Sequence, residues 1–153
     1  MAIYAAYGSN LDPVRMAKRA PHSPIIGPGW LDGWRLTFGK VDHGLDESLP
    51  TLVEDEISQV FVMLYELTEP DERALNSAEG FDLDFYRKIH VRVNTLTGQF
   101  TAWLYVVNGY ESGLPRSHVV DAIVEAAIVA GAPDDYVARI SEFITRDEDE
   151  SYE

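Results

Sequence analysis

Apolar and polar positions change their period several times along the chain, and each change marks an element. Ile3-Tyr4-Ala5-Ala6-Tyr7 is an apolar and aromatic run that halts at Gly8-Ser9-Asn10-Leu11. That is the composition of a buried strand closing in a tight polar turn. Asp12-Pro13 then has the chemistry of a helix start, a capping carboxylate followed by a proline where a missing N–H costs nothing, so a short helix is predicted over residues 13–19, stopped by Pro21. Residues 23–33 are punctuated by Pro24, Gly27, Pro28, Gly29 and Gly33 and predict at most a short edge strand. Trp34 to Phe38 reads as a clearer strand, and the polar stretch 39–49 as a surface loop. Another strand is expected over 50–54. Val60-Phe61-Val62-Met63-Leu64-Tyr65 is the strongest apolar run and matches a strand buried on both faces. Thr68-Glu69-Pro70-Asp71 resembles a capped helix start.

The second half alternates. Ile89, Val91 and Val93 share one face of a strand over 85–96 while Lys88, His90, Arg92 and Asn94 share the other, and Thr97-Gly98 turns the chain into a partner strand over 100–107. After a loop over 109–116, Ser117 is the expected cap of a helix to Ala130, ended by Gly131. Pro133 opens a second helix to about Thr145, with Tyr136, Val137, Ile140, Phe143 and Ile144 as its apolar stripe. No internal repeat is visible, and the strands do not alternate with long helices. The class is α+β, a curved or barrel-like sheet with helices around it, in one domain over 1–145 followed by a tail at 146–153 with five acidic side chains that is expected to fray.

Composition narrows the chemistry. The 153 residues suffice for a core, and without cysteine there is no thiol nucleophile, disulfide or Cys-based metal site. A net charge of −14 repels nucleic acid and anionic membranes, and no basic, apolar leader or spanning run is seen, so a cytoplasmic protein is expected. His22, His43, His90 and His118 have no ligand spacing, so no metal is expected. Ser9 lies on no nucleophile elbow, and Asp82 and Asp84 read as a solvated loop rather than a glycosidase pair.

Two features can carry chemistry. The turn at Gly8-Ser9 can point backbone N–H groups into one concavity, enough to hold a carboxylate or a developing oxyanion. Glu79 closes a predicted short helix just before Gly80, where the helix dipole disfavours a negative charge by a few tenths to about 1 kcal/mol and apolar neighbours are expected; a carboxyl so placed suits proton transfer. Tyr4, Tyr65 and Tyr105 read on their own as packing residues.

These residues resemble the gamma-glutamyl cyclotransferase (AIG2-like) family: Tyr7-Gly8-Ser9-Asn10-Leu11, Glu79-Gly80 and Tyr86, with further correspondence at 34–39, at Tyr110-Glu111-Ser112 with Pro115, and at Gly131-Ala132-Pro133 with Tyr136. The resemblance is collinear over nearly the whole chain. It implies a small mixed β-barrel with flanking helices, and a cofactor-independent enzyme of acyltransferase or lyase type that releases 5-oxoproline from a gamma-glutamyl amino acid, peptide or amine. It assigns Glu79 as general acid/base and Tyr4, Ala5, Ala6, Tyr7, Gly8, Ser9, Asn10 and Tyr86 as substrate-binding. A small-molecule partner is implied, with the chain a monomer or homodimer. Three positions depart from the family pattern: Val119 stands for a tyrosine, Val62 for a glycine, and Ala126-Ala127 for a Gly-Ala pair. Added volume at Val62 and Ala126 predicts a narrower pocket or a different substrate. The alternative reading is a non-catalytic member that keeps the turn to bind a small anion or a protein.

Overall fold

Two long strands, each assembled from segments that look separate in sequence, form the wall of the molecule. The computed structural model describes residues 2–41, 47–111, 114–143 and 145. The predicted tail, the middle of the predicted loop at 42–46 with His43, and Ser112 and Ile144 lie outside the described residues.

Strand β1 (Ala2–Ala6) is followed by β2 (Ile25–Val41) and β3 (Leu49–Leu67). The short edge strand expected at 23–33 and the strand at 34–38 are one strand, and so are the two predicted at 50–54 and 60–65. The glycines and prolines of β2 do not end it. They mark register shifts, between Ile25 and Gly27 and between Asp32 and Trp34, and Gly27 and Gly33 take up positive φ values of 145° and 85° there. The polar stretch 54–59 of β3 stays extended because β2 pairs with β3 on either side of it, from Ile25↔Tyr65 to Gly39↔Leu49. Backbone pairing overrides weak local propensity.

Strands β4 (Tyr86–Thr95) and β5 (Gly98–Val107) form the predicted hairpin, in register from Tyr86↔Val107 to Thr95↔Gly98. The sheet runs β3-β1-β5-β4-β2 and returns from β2 to β3, so five strands close into a barrel. It is mixed, because β1 lies parallel to β5 at Tyr4↔Trp103 while its other neighbour, β3, is antiparallel. Closure between β2 and β4 occurs at Trp30↔Asn94, beside Gly29, where an added Cβ would lie 2.6 Å from Val93 Cγ1 and 2.9 Å from the Asn94 carbonyl oxygen. Only glycine allows that approach. A short strand β6 (Gly109–Glu111), within the stretch expected to be a loop, extends the sheet beside β2. Glu111 fastens it, accepting from Arg35 at 2.8 Å and Thr37 at 2.6 Å, and the Arg35 bond holds its carboxyl below the usual range.

Four helices surround the barrel among the described residues: α1 (Pro13–Arg19), α2 (Glu69–Glu79), α3 (Ser117–Val129) and α4 (Asp134–Ser141). Asp12 caps α1 through Val14 N at 2.9 Å, and Thr68 caps α2 through Asp71 N at 3.3 Å, as their sequences require. Ser117 is not the cap of α3. Arg116 occupies that position without a side-chain cap bond, and Ser117 is already the first helical residue. Helix α4 closes at Ser141, short of the expected Thr145.

Helix α2 is placed by one stripe. Asp71 is 4% and Leu75 0% exposed, Asn76 accepts the Tyr105 hydroxyl at 2.7 Å, and Glu79 ends the same face. Spacings of four and eight residues put Leu75 and Glu79 on the side of Asp71, and Asn76 lies at the edge of that face. Asp71 Oδ2 accepts from the His22 N–H at 2.8 Å and from Ser23 Oγ at 2.7 Å, which ties the first turn of α2 to the segment just after α1.

Candidate active site

At the end of β1 the chain passes through Gly8 into a one-turn helix, Ser9–Leu11. The amides of Leu11 and Asp12 turn inward to the carbonyls of Gly8 and Ser9, at 3.0 and 3.3 Å. The amides of Ser9 and Asn10 precede the first bond of this turn and have no acceptor within it. The N-terminus of α1 contributes less than its sequence position suggests, because Asp12 already occupies Val14 N there.

Opposite this turn stands Glu79. Its Oε1 accepts from Asn10 Nδ2 at 2.8 Å and from Arg19 at 3.2 Å, and its side chain is 25% exposed. Its surroundings are not apolar alone: beside the aromatic rings of the cup, a carboxamide and a guanidinium hold it. Both donors take the same oxygen, so Oε2 has no protein partner among the described residues. Asn10 Nδ2 also reaches the Tyr4 hydroxyl at 3.2 Å, while its Oδ1 is buried without a partner among those residues. One amide therefore links the turn, the barrel wall and the carboxylate.

Tyr4, Tyr7, Gly8, Ser9, Asn10, Pro50, Glu79, Tyr86 and Tyr105 line a small cup that is open on one side. Three of its four phenols spend their protons on the protein: Tyr7 on the Tyr105 carbonyl at 2.6 Å, Tyr86 on the Pro50 carbonyl at 3.2 Å, and Tyr105 on Asn76. Tyr4 accepts from Asn10, and its own proton has no acceptor among the described residues. The rings brace one another, with Tyr4 against Trp103 at 4.9 Å and Tyr86 against Tyr105 at 5.9 Å between centroids.

Burial pushes all four phenols well above their ordinary range, and the negative charge of Glu79 adds to it. They are neutral hydrogen-bonding groups at any physiological pH. Because their folded values are raised, the stability they contribute is complete below about pH 10, where unfolded tyrosine is also neutral, and is lost as pH climbs above it. An ultraviolet titration is expected to show the share of the tyrosinate signal due to these four of the eight tyrosines rising only together with cooperative alkaline unfolding; the full eight-tyrosine amplitude reached in a chain that is still folded would contradict it.

The cup opens past Ser9, Pro50, Glu79 and Tyr86 into a wider cleft that also takes in Arg15, Arg19, Phe85, His118, Val119 and Ala122. Of the residues assigned from sequence, Tyr4, Tyr7, Gly8, Ser9, Asn10, Glu79 and Tyr86 meet in the cup. Ala5 and Ala6 do not. Both are 0% exposed in β1, opposite Leu64 and Met63, and their small side chains serve packing. Val62 also stays out of the site: it is 0% exposed on β3 and pairs with Gly29, so its extra volume fills the core. Val119 does line the wider cleft. Sequence reasoning missed Arg19, Pro50 and Tyr105. Arg19 carried no signal beyond being the last residue of its helix, whereas Tyr105 lies on the same face of its strand as Trp103, which could have placed it on an aromatic wall.

A closed mixed barrel with a carboxylate held against a turn of open amides defines a small barrel domain whose cup opens into a wider cleft. Comparison with known proteins makes the class specific. The sequence model of the AIG2-like family matches residues 59–140, more than half of the chain, and the chain belongs to that family. It is similar to the gamma-glutamylcyclotransferase of Mus musculus, 25% identical over 143 residues that cover 90% of this chain and 76% of that protein, and to that of Homo sapiens at 26% with the same coverage. Among solved structures it resembles a gamma-glutamyl cyclotransferase with a TM-score of 0.85 at 23% identity, over 95% of this chain and 89% of the other. It also resembles YkqA from Bacillus subtilis, with a TM-score of 0.79 at 20% identity, over 95% of this chain and 56% of that one. Among the described residues no helix is long and apolar enough to cross a membrane.

Proposed function

We propose that this chain is a gamma-glutamyl cyclotransferase. The observation that carries the reading is the hydrogen bond of 2.8 Å from Asn10 to Glu79, which sets a carboxylate against the Gly8–Asn10 turn inside one small cup. The names of the relatives support the same activity.

A gamma-glutamyl group holds its own nucleophile, the α-amine, which can curl onto the γ-carbonyl. The task is to fold the substrate and move a proton. The amides of Ser9 and Asn10 and the Tyr4 hydroxyl are donors for the α-carboxylate or for the oxyanion, and one such donor is worth roughly 2.7–4 kcal/mol in the transition state. Glu79 Oε2 takes a proton from the α-ammonium; the freed amine attacks the γ-carbon, a C–N bond forms and the carbonyl oxygen becomes an oxyanion. Collapse then breaks the bond to the departing nitrogen, which receives that proton from Glu79, and the ring nitrogen, left with two protons by the attack, gives its second one through Glu79 to the released amine. The products are 5-oxoproline and the leaving amine as its ammonium ion. Holding amine against carbonyl replaces a flexible ring closure by a near-attack geometry, with effective molarities reaching about 10⁵–10⁸ M in well-oriented systems. Every step uses groups of this chain or of the substrate.

The cup takes the gamma-glutamyl moiety and the wider cleft takes the leaving group. Incubation with gamma-glutamyl amino acids, gamma-glutamyl amines and glutathione, followed by mass spectrometry, is expected to show 5-oxoproline from at least one class. Binding of these compounds without turnover would instead make the chain a ligand-binding member of its family, the reading that Val119 in the cleft favours.

A further inference from the structure

Glu79 does not stand alone, and the group that holds it comes from a helix outside the barrel. Arg19 is the last residue of α1, and its side chain reaches Glu79 Oε1 at 3.2 Å although the two are 60 positions apart. Asn10 donates to that same oxygen at 2.8 Å. Both partners are partly shielded, Arg19 at 28% and Glu79 at 25% side-chain exposure, so solvent screens the pair less than a surface contact.

Two donors on one oxygen fix the plane of a carboxylate. Asn10 approaches from the turn that lines the cup, and Arg19 from the wider cleft, which it lines without lining the cup itself. Pinned from both sides through Oε1, the group can rotate little, and Oε2 remains the atom for exchange with substrate. The other side chains around the cup, Tyr4, Tyr7, Tyr86 and Tyr105, are neutral, so Arg19 is the cation in direct contact with the carboxylate among the described residues. Asp71 sets the spacing from the far end of α2: it binds Ser23 and the His22 N–H just beyond Arg19, so α2 is tied to the α1 segment at both ends.

We infer that Arg19 is a positioning residue for the reaction proposed above: it fixes the carboxylate of Glu79 through Oε1 and aims Oε2 at the substrate amine, without itself touching the reacting atoms. The inference rests on that reaction. It assigns a role to α1 that the barrel and the amide turn do not supply.

The test is a double-mutant cycle in the full chain, using whichever gamma-glutamyl compound the wild type turns over. Arg19→Met is expected to lower kcat about 10- to 100-fold, the cost of a reacting group out of position, with KM within about twofold. Arg19→Lys, whose ammonium can still donate to Oε1, is expected to recover most of kcat. In the Glu79→Gln background, Arg19→Met is expected to add almost nothing, because a residue acting through Glu79 has nothing left to position. Additive losses in the cycle, no recovery with lysine, or a rise in KM at unchanged kcat would overturn the inference, the last by making Arg19 a contact for the leaving group. A wild-type chain that releases no 5-oxoproline overturns the reaction itself and this role with it. The two failures are therefore separate observations.

Discussion

Glu79→Gln is expected to reduce kcat by about 10²–10⁴-fold, the range general acid/base catalysis contributes, while leaving the fold in place. The substitution is nearly isosteric. A glutamine Oε1 still accepts from Asn10 and Arg19, the two donors that hold the carboxylate oxygen, so the contacts at 2.8 and 3.2 Å are kept. What disappears is the ability to take a proton from an ammonium group and return it to a departing nitrogen. Substrate affinity should change little, because the donors assigned to the α-carboxylate belong to Ser9, Asn10 and Tyr4. The measurement is steady-state release of 5-oxoproline by both proteins, with binding of a gamma-glutamyl compound followed by calorimetry. Retention of more than a tenth of wild-type kcat would remove Glu79 from the mechanism.

Asp71→Ala is expected to cost about 3 kcal/mol of folding stability, from two donors left facing a void where a charged acceptor stood. For a chain of this size that lowers Tm by about 6–12 °C. Asp71 is 4% exposed and its Oδ2 accepts from both the His22 N–H and Ser23 Oγ. Ser23 Oγ in turn accepts from Thr68 N at 3.2 Å, so the loss also loosens the cap of α2. Asp71→Asn keeps one acceptor and should cost about half as much. Differential scanning calorimetry of the three proteins decides it. A Tm for Asp71→Ala within 2 °C or so of wild type would mean that water replaces the carboxylate without loss, and that α2 is held by Leu75 and Asn76 alone.

Particular residues show how far the sequence could be read. Local chemistry was legible where the signal is short in range: Asp12 and Thr68 cap their helices, Thr97-Gly98 turns a hairpin, and Glu79 closes α2 before Gly80, which adopts φ 84°. The strands misread from sequence, 25–41 and 49–67, fail for one reason. Glycine, proline and acidic residues weaken local strand propensity, but a partner strand paired along the ribbon repays that weakness, and the partner lies elsewhere in the chain. The same limit governs the site. Tyr4 through Asn10 are adjacent in sequence and were found together, whereas Ala5 and Ala6 share the stretch yet are fully buried and line no part of the cup, because methyl side chains are too short to reach past the tyrosines beside them.

By itself, then, the sequence determined the local pieces: a strand that ends in a glycine turn, a carboxylate at a helix end, an acidic chain without thiols, and a pattern of motifs shared with the AIG2-like family. Each follows from side-chain type and short-range backbone preference. Only the tertiary structure decided that Glu79, Asn10 and Arg19 meet on one oxygen, that Tyr105 and Pro50 complete the cup, and that Val62 belongs to the core. Those meetings depend on how a closed barrel brings distant segments together, and barrel closure is a property of strand pairing across the whole chain.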